Sequence, residues 1–129
     1  MHVKQGDIIH MYFPGISHSK FFIVACLTRS GEIGAVFINS SINPAIFPTE
    51  ELRKLHYKLK QATYSFLQYD SYADCSDIIP LQHITIEKYL LKNPRDYKGK
   101  LVQADLIMII ELLSASPKIS PKNKLKWGI

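Results

Sequence analysis

Two apolar runs, residues 21–27 and 35–38, flank a polar, glycine-containing turn at residues 28–34. Both runs are short and rich in β-branched and aromatic side chains, a composition that selects strand over helix. The stretch from Lys20 to Asn43, KFFIVACLTRSGEIGAVFINSSIN, therefore reads as a hairpin at the centre of a small sheet. Polar groups stand just outside its two open ends. His18 and Lys20 precede the first strand; Asn39, Ser40, Ser41 and Asn43 follow the second. A functional site is expected where those ends meet other loops.

The rest of the chain supplies the partners such a hairpin needs. Residues 8–13 read as a strand ended by Pro14-Gly15. Pro44 and Pro48 bracket a connection that cannot be a central strand. Thr49 can cap a helix with Glu50 and Glu51 in its first turn, where the helix dipole favours acids. Leu52, Leu55 and Leu59 extend that pattern to an amphipathic helix of about three turns. Residues 62–69 return to strand composition, and the DSYADCSD run at 70–77 reads as a turn or bulge whose Asp and Ser side chains bond their own backbone. Residues 78–84 read as a further strand, either at an edge or beginning at Pro80. Thr85 opens a short helix to Lys92, stopped by Asn93-Pro94. The clearest helix is 103–113, apolar on most sides and so expected to be buried on two of them, against the sheet and a second subunit. Pro117 ends it, and Pro121 is expected to keep the following tail extended.

The 129 residues suit one domain, divided here into a body over 1–116 and a basic tail over 117–129. The tail's four lysines account for four of the five net positive charges, so the body is nearly neutral. A basic end of this kind attracts a polyanion through counterion release. With only Cys26 and Cys75, free thiols in a reducing compartment are expected. Residues 1–6 are polar, unlike a signal peptide, and no apolar run approaches the roughly 20 residues of a membrane-spanning helix. The sum is an α+β fold: a mostly antiparallel, barrel-like sheet of about five strands with a late apolar helix and one or two short ones.

The order of these parts resembles a known family. A Gly6-Asp7-Ile8 first strand leads to the KFFIVAC strand with a basic residue at its start. A strand ending in Ile38-Asn39-Ser40-Ser41 follows, then a loop with a small helix and a strand-turn-strand around Tyr69-Asp70-Ser71. Gly99-Lys100-Leu101 finally turns into the closing apolar helix. Over roughly residues 4–115 this resembles the MazF/PemK toxins, SH3-like barrels of bacterial toxin–antitoxin systems. The resemblance implies a cytoplasmic homodimer that cleaves single-stranded RNA without a metal or other cofactor, and an antitoxin protein lying over the RNA groove. The family typically opens its second strand with Arg-Pro and ends its third with Ile-Thr-Ser; here Lys20-Phe21 and Ile38-Asn39-Ser40 stand in those places. Lysine meets a phosphate as a point charge, where arginine meets it with a fork of donors.

Cleavage by a 2′-hydroxyl needs a base, an acid at the leaving oxygen and donors to the phosphorane. The residues expected to supply them are Lys20 for phosphate charge, His18 as acid or base, and Ser40 and Asn39 as donors. Ser41, Tyr12, Tyr69 and Ser71 are expected to contact RNA, the tyrosines by stacking on bases. Asp70, Asp74 and Asp77 lack the ligand periodicity and glycine of a calcium loop, and the histidines and cysteines lack zinc spacing, so no metal site is expected. The alternatives are a non-catalytic barrel module that binds a partner protein or nucleic acid, and a structural subunit of a larger assembly.

Overall fold

The computed structural model describes residues 2–13 and 15–129. Seven strands form one antiparallel sheet: β1 (Asp7–Met11), β2 (Lys20–Leu27), β3 (Glu32–Asn39), β4 (His56–Leu59), β5 (Ser71–Asp74), β6 (Ile79–Gln82) and β7 (Tyr97–Lys100). The helices are α1 (Glu50–Arg53), α2 (His83–Lys92), α3 (Gln103–Ala115) and α4 (Pro121–Trp127), with a 3-10 turn at Pro94–Asp96. The strand order is β4-β5-β3-β2-β1-β7, and β6 also pairs with β3. The sheet curls into a half-barrel, and the α+β barrel expectation holds. Pro14 and Met1 lie outside the described residues; the first strand ends at Met11.

The central hairpin forms as its composition requires, and both its faces are covered. Ile23, Ala25, Val36 and Ile38 pack with Leu106, Ile109 and Leu113 of α3. Phe22, Val24, Ile33 and Ala35 pack on the other side with Ile86 and Leu90 of α2. A sheet buried on both faces needs near-continuous apolar strands, which explains why the two runs do not alternate cleanly. Cys26 and Cys75 are buried and unpaired. Burial pushes the Cys26 thiol up to about 11 and Cys75 higher still, so neither is a reactive thiolate.

Curvature comes from the outer edge of β3. Its end pairs with β5, Ile38 opposite Ala73 and Asn39 opposite Tyr72. Its beginning pairs with β6, from Ala35 opposite Ile79 to Glu32 opposite Gln82. Between these blocks two residues of β3, Val36 and Phe37, face five, residues 74–78. The excess arches out of the sheet, and its polar groups are satisfied locally. Asp74 Oδ1 accepts from the Ser76 N–H at 3.1 Å and the Ser76 hydroxyl at 2.6 Å, and Asp77 accepts from the Ile78 N–H. The bulge read in DSYADCSD is therefore real, although Ser71–Asp74 is strand. Gly34 faces the arch: a Cβ there would lie 2.8 Å from Ile78 Cγ2, 3.1 Å from Trp127 and 3.2 Å from Cys26 Cβ. Only glycine lets the three approach.

β7 secures the first strand. Asp7, 2% exposed, accepts from Lys100 Nζ at 2.8 Å, the Tyr97 hydroxyl at 3.1 Å and the Lys4 N–H at 2.7 Å. Leu101 N–H donates to the Gly6 carbonyl and Gly6 N–H to that of Val24. A buried carboxylate is tolerable because its acceptor capacity is met this fully.

Three expectations are corrected. The three-turn helix is one turn: Thr49 caps it, accepting from the Leu52 N–H, but residues 56–59 pair with β5 instead. Cross-strand pairing outweighs a weak helical pattern. Residues 62–69 contain no strand. They fold as turns under the barrel, held by Tyr64, whose hydroxyl donates to Asp105 at 2.5 Å beside that of Tyr57, also at 2.5 Å. The tail is not extended. Ser120 caps α4, accepting from the Asn123 N–H; Pro121 occupies its first turn; Ile119 and Trp127 join the core. The buried Ser116 hydroxyl donates to the Ser76 carbonyl at 2.6 Å, fixing this segment to the arch. Helix α3 packs on the sheet through Leu106, Ile109 and Leu113, as expected, and within the single chain its other side leaves Ile107 and Met108 50% and 42% exposed.

Two outcomes follow. Gly34→Ala is expected to lose about 1–3 kcal/mol by overpacking, seen as a lower urea midpoint with an unchanged slope. The Asp105 hydrogen bond, with burial, pushes Tyr57 up to about 12, and burial and Asp105 raise Tyr64 further. The folded state thus holds phenolic protons that the unfolded chain releases near 10. Stability should be constant below that value and fall as the pH rises from 10 through 12, and Tyr57→Phe should reduce the fall.

Candidate functional site

The register of the hairpin decides what meets at its open end. Phe21 lies opposite Ile38, so Lys20 and Asn39 sit side by side at the strand ends. A cleft of about 620 Å³ opens there. Its floor is the hairpin end, including Phe21, Phe37 and Ile38; one wall is residues 40–47 and the other residues 67–69. The first wall is anchored by Phe47, which packs edge-on against the buried His56 ring at 4.2 Å and whose carbonyl accepts from Arg53 Nη1 at 2.9 Å. The second is anchored by buried Leu67 and by Asp70, which accepts from the Gln61 N–H at 2.8 Å.

Seven of the eight residues expected at a site line this cleft: His18, Lys20, Asn39, Ser40, Ser41, Tyr69 and Ser71. Their states differ. Lys20 Nζ donates to Asn39 Oδ1 at 2.5 Å and stands 5.8 Å from the Phe37 ring centre. Burial pushes the Lys20 pKa down, and the negative charge of Asp74 offsets part of that. Among the described residues it is the one permanently ionised side chain lining the cleft. His18 is exposed at the rim, its Nδ1 3.3 Å from Ser17 Oγ. Tyr69 is 56% exposed and presents a free ring. Ser71 is buried, and its hydroxyl is already committed to the Tyr69 carbonyl, so it shapes the wall rather than offering a contact. Tyr12 does not reach the cleft; it is 70% exposed beside His10.

Sequence reading missed Ser19, which lines the cleft between His18 and Lys20, and His10 behind it. His10 lies within a strand, where period-2 alternation reads it as a solvent-side residue. Nothing in the spacing singles it out. The arrangement as a whole can hold an anion: one desolvated ammonium, an amide and two serine hydroxyls around an apolar floor with an aromatic wall. The basic α4 does not extend it. Lys126 pairs with Glu32, at the far end of β3 from Asn39, about 25 Å along an eight-residue strand.

Among the described residues no group of three or more His, Cys, Asp or Glu side chains could hold a metal ion. Asp70, Asp74 and Asp77 each accept a backbone N–H. Among the described residues no helix is long and apolar enough to cross a membrane. Comparison with known proteins finds no family model that matches the chain and no matching curated protein.

The lowered pKa of Lys20 has a sign that can be measured. The unfolded chain binds this proton more tightly than the folded one, so the charged form costs stability at neutral pH and less as the pH approaches 10.5. Lys20→Met is expected to melt at or above the wild-type temperature at pH 7, and the gap should close as the pH rises to that value.

Proposed function

We propose that this chain is an endoribonuclease of the MazF/PemK toxin type, which cleaves single-stranded RNA in the cleft at the end of the β2–β3 hairpin. The observation that carries the reading is the convergence of Lys20, Asn39 and Ser40 on one cleft beside an exposed aromatic ring. The half-barrel fold supports it, as does the pairing of the two motifs that carry the resemblance. Asp7 of the first and Lys100 of the second form the buried clamp between β1 and β7.

The chemistry is intramolecular attack of a 2′-hydroxyl on the adjacent phosphorus, giving a 2′,3′-cyclic phosphate and a 5′-hydroxyl. Lys20, desolvated and held by the neutral Asn39 amide, gains most from an anionic partner, and the phosphorane carries more negative charge than the diester. The Asn39 amide and the Ser40 and Ser41 hydroxyls supply further donors. Tyr69 offers its face to an unpaired base. Two histidines are candidates for proton transfer: His18 at the rim and His10 behind Ser19. The protein acts in the cytoplasm as a homodimer, and an antitoxin silences it by covering the cleft.

Purified protein incubated with a long single-stranded RNA in EDTA should produce fragments ending in cyclic phosphate. Lys20→Ala should reduce the rate about 100-fold or more. Absence of cleavage by the wild type sinks the reading. Salt-dependent RNA binding without turnover would instead identify a non-catalytic binding barrel, which the single point charge at Lys20 favours over a fork of arginine donors.

A further inference from the structure

Four elements converge behind the cleft rim on a cluster that phosphate binding does not explain. Ser19 Oγ lies 2.6 Å from Nε2 of His10, on β1. The other ring nitrogen, Nδ1, faces Asp96 Oδ1 at 3.6 Å, from the 3-10 turn before β7. Oδ2 of that carboxylate accepts from the hydroxyl of Tyr89, on α2. Burial and then Asp96 push the Tyr89 phenol up to about 12, so it remains a donor across the physiological range. Phe21 packs against the His10 ring with centres 4.6 Å apart, and Tyr12 stands 6.4 Å away.

The carboxylate settles the tautomer. An ionised carboxylate only accepts, so an unprotonated Nδ1 would set lone pair against lone pair. Neutral His10 therefore carries its proton on Nδ1, and Nε2 is the free base that accepts from the Ser19 hydroxyl. The 3.6 Å separation is an ion-pair distance; such contacts are often long in the free protein and shorten when substrate binds. Among the described residues, His18 meets the neighbouring Ser17 hydroxyl rather than a carboxylate.

We propose that Ser19, His10 and Asp96 form a proton relay opening on the cleft, in which Ser19 touches the substrate 2′-hydroxyl and the two others act through it. This rests on the RNA reading above and assigns its proton acceptor. As the 2′-oxygen bonds to phosphorus, its proton passes to Ser19 Oγ while the Ser19 proton passes to His10 Nε2. Ser19 emerges unchanged, and Asp96 stabilises the imidazolium. The bond from phosphorus to the 5′-oxygen breaks. That oxygen takes a proton from water, and the proton His10 then releases neutralises the hydroxide.

Two measurements test the relay separately from the RNA reading. Long-range ¹H–¹⁵N correlation on the neutral ring should show His10 protonated at Nδ1, with population moving to Nε2–H in Asp96→Asn. Cleavage kinetics should show Ser19→Ala and His10→Gln lowering kcat roughly 100- to 10,000-fold with KM within about twofold, and Asp96→Asn lowering kcat less. A wild-type ring protonated at Nε2, or a wild-type kcat in His10→Gln, overturns the relay. If the wild-type ring is protonated at Nδ1 but leaves RNA intact, the RNA reading fails, and with it the role of Ser19 on a 2′-hydroxyl.

Discussion

Strand β3 has one outer edge and two partners on it, and most of the architecture follows from that. A single continuous strand from Ser71 to Gln82 would pair flat against β3. The residues in excess at 74–78 prevent this, and the ladder must break and turn. The break lies opposite Val36 and Phe37, and β2 has its own irregularity close by, between Val24 and Cys26. Two disruptions this near one another bend the sheet sharply. That bend separates the ends of β3: the Glu32 end is roofed by Trp127, and the Asn39 end is left open as the cleft.

The open end is costly to maintain. Lys20 is half-buried, and its ammonium has a neutral amide as its hydrogen-bond partner. Such an arrangement disfavours the empty protein and favours it with an anion bound, which is how binding sites are distinguished from structural ion pairs. The Asp7 clamp at the β1–β7 edge is the contrast. There a buried carboxylate has an ammonium, a phenol and a backbone N–H, and no unmet need. Similar residue types are fully satisfied in one place and leave an ammonium without an anionic partner in the other, because the number of partners differs.

The hairpin and the residues at its ends were legible because the signal is local. Apolar runs of strand length define β2 and β3, and antiparallel register alone brings Lys20 beside Asn39. The four-residue strands β4 and β5 were not legible, since neither contains enough alternation to stand out and their pairing is non-local. The 117–129 segment was misread because its lysines mask Ile119 and Trp127. Its start signal was nevertheless present: Ser120 followed by Pro121, with Gly128 beyond the end in the left-handed region at φ 73°. His10, Ser19 and Asp96 come from parts of the chain separated by up to 86 positions, and no one-dimensional pattern links them.

The seat of Trp127 also bears on how the chain is made. Every strand, and the whole of residues 18–71 that build the cleft, is synthesised before this side chain exists. The core around Gly34 and Ile78 therefore stays unsealed until residue 127 has been added. Long-separation pairing of β1 with β7 delays closure for the same reason. Cleft and cap thus mature in sequence, so an arrested nascent chain can present a formed hairpin end on a barrel that has not yet locked.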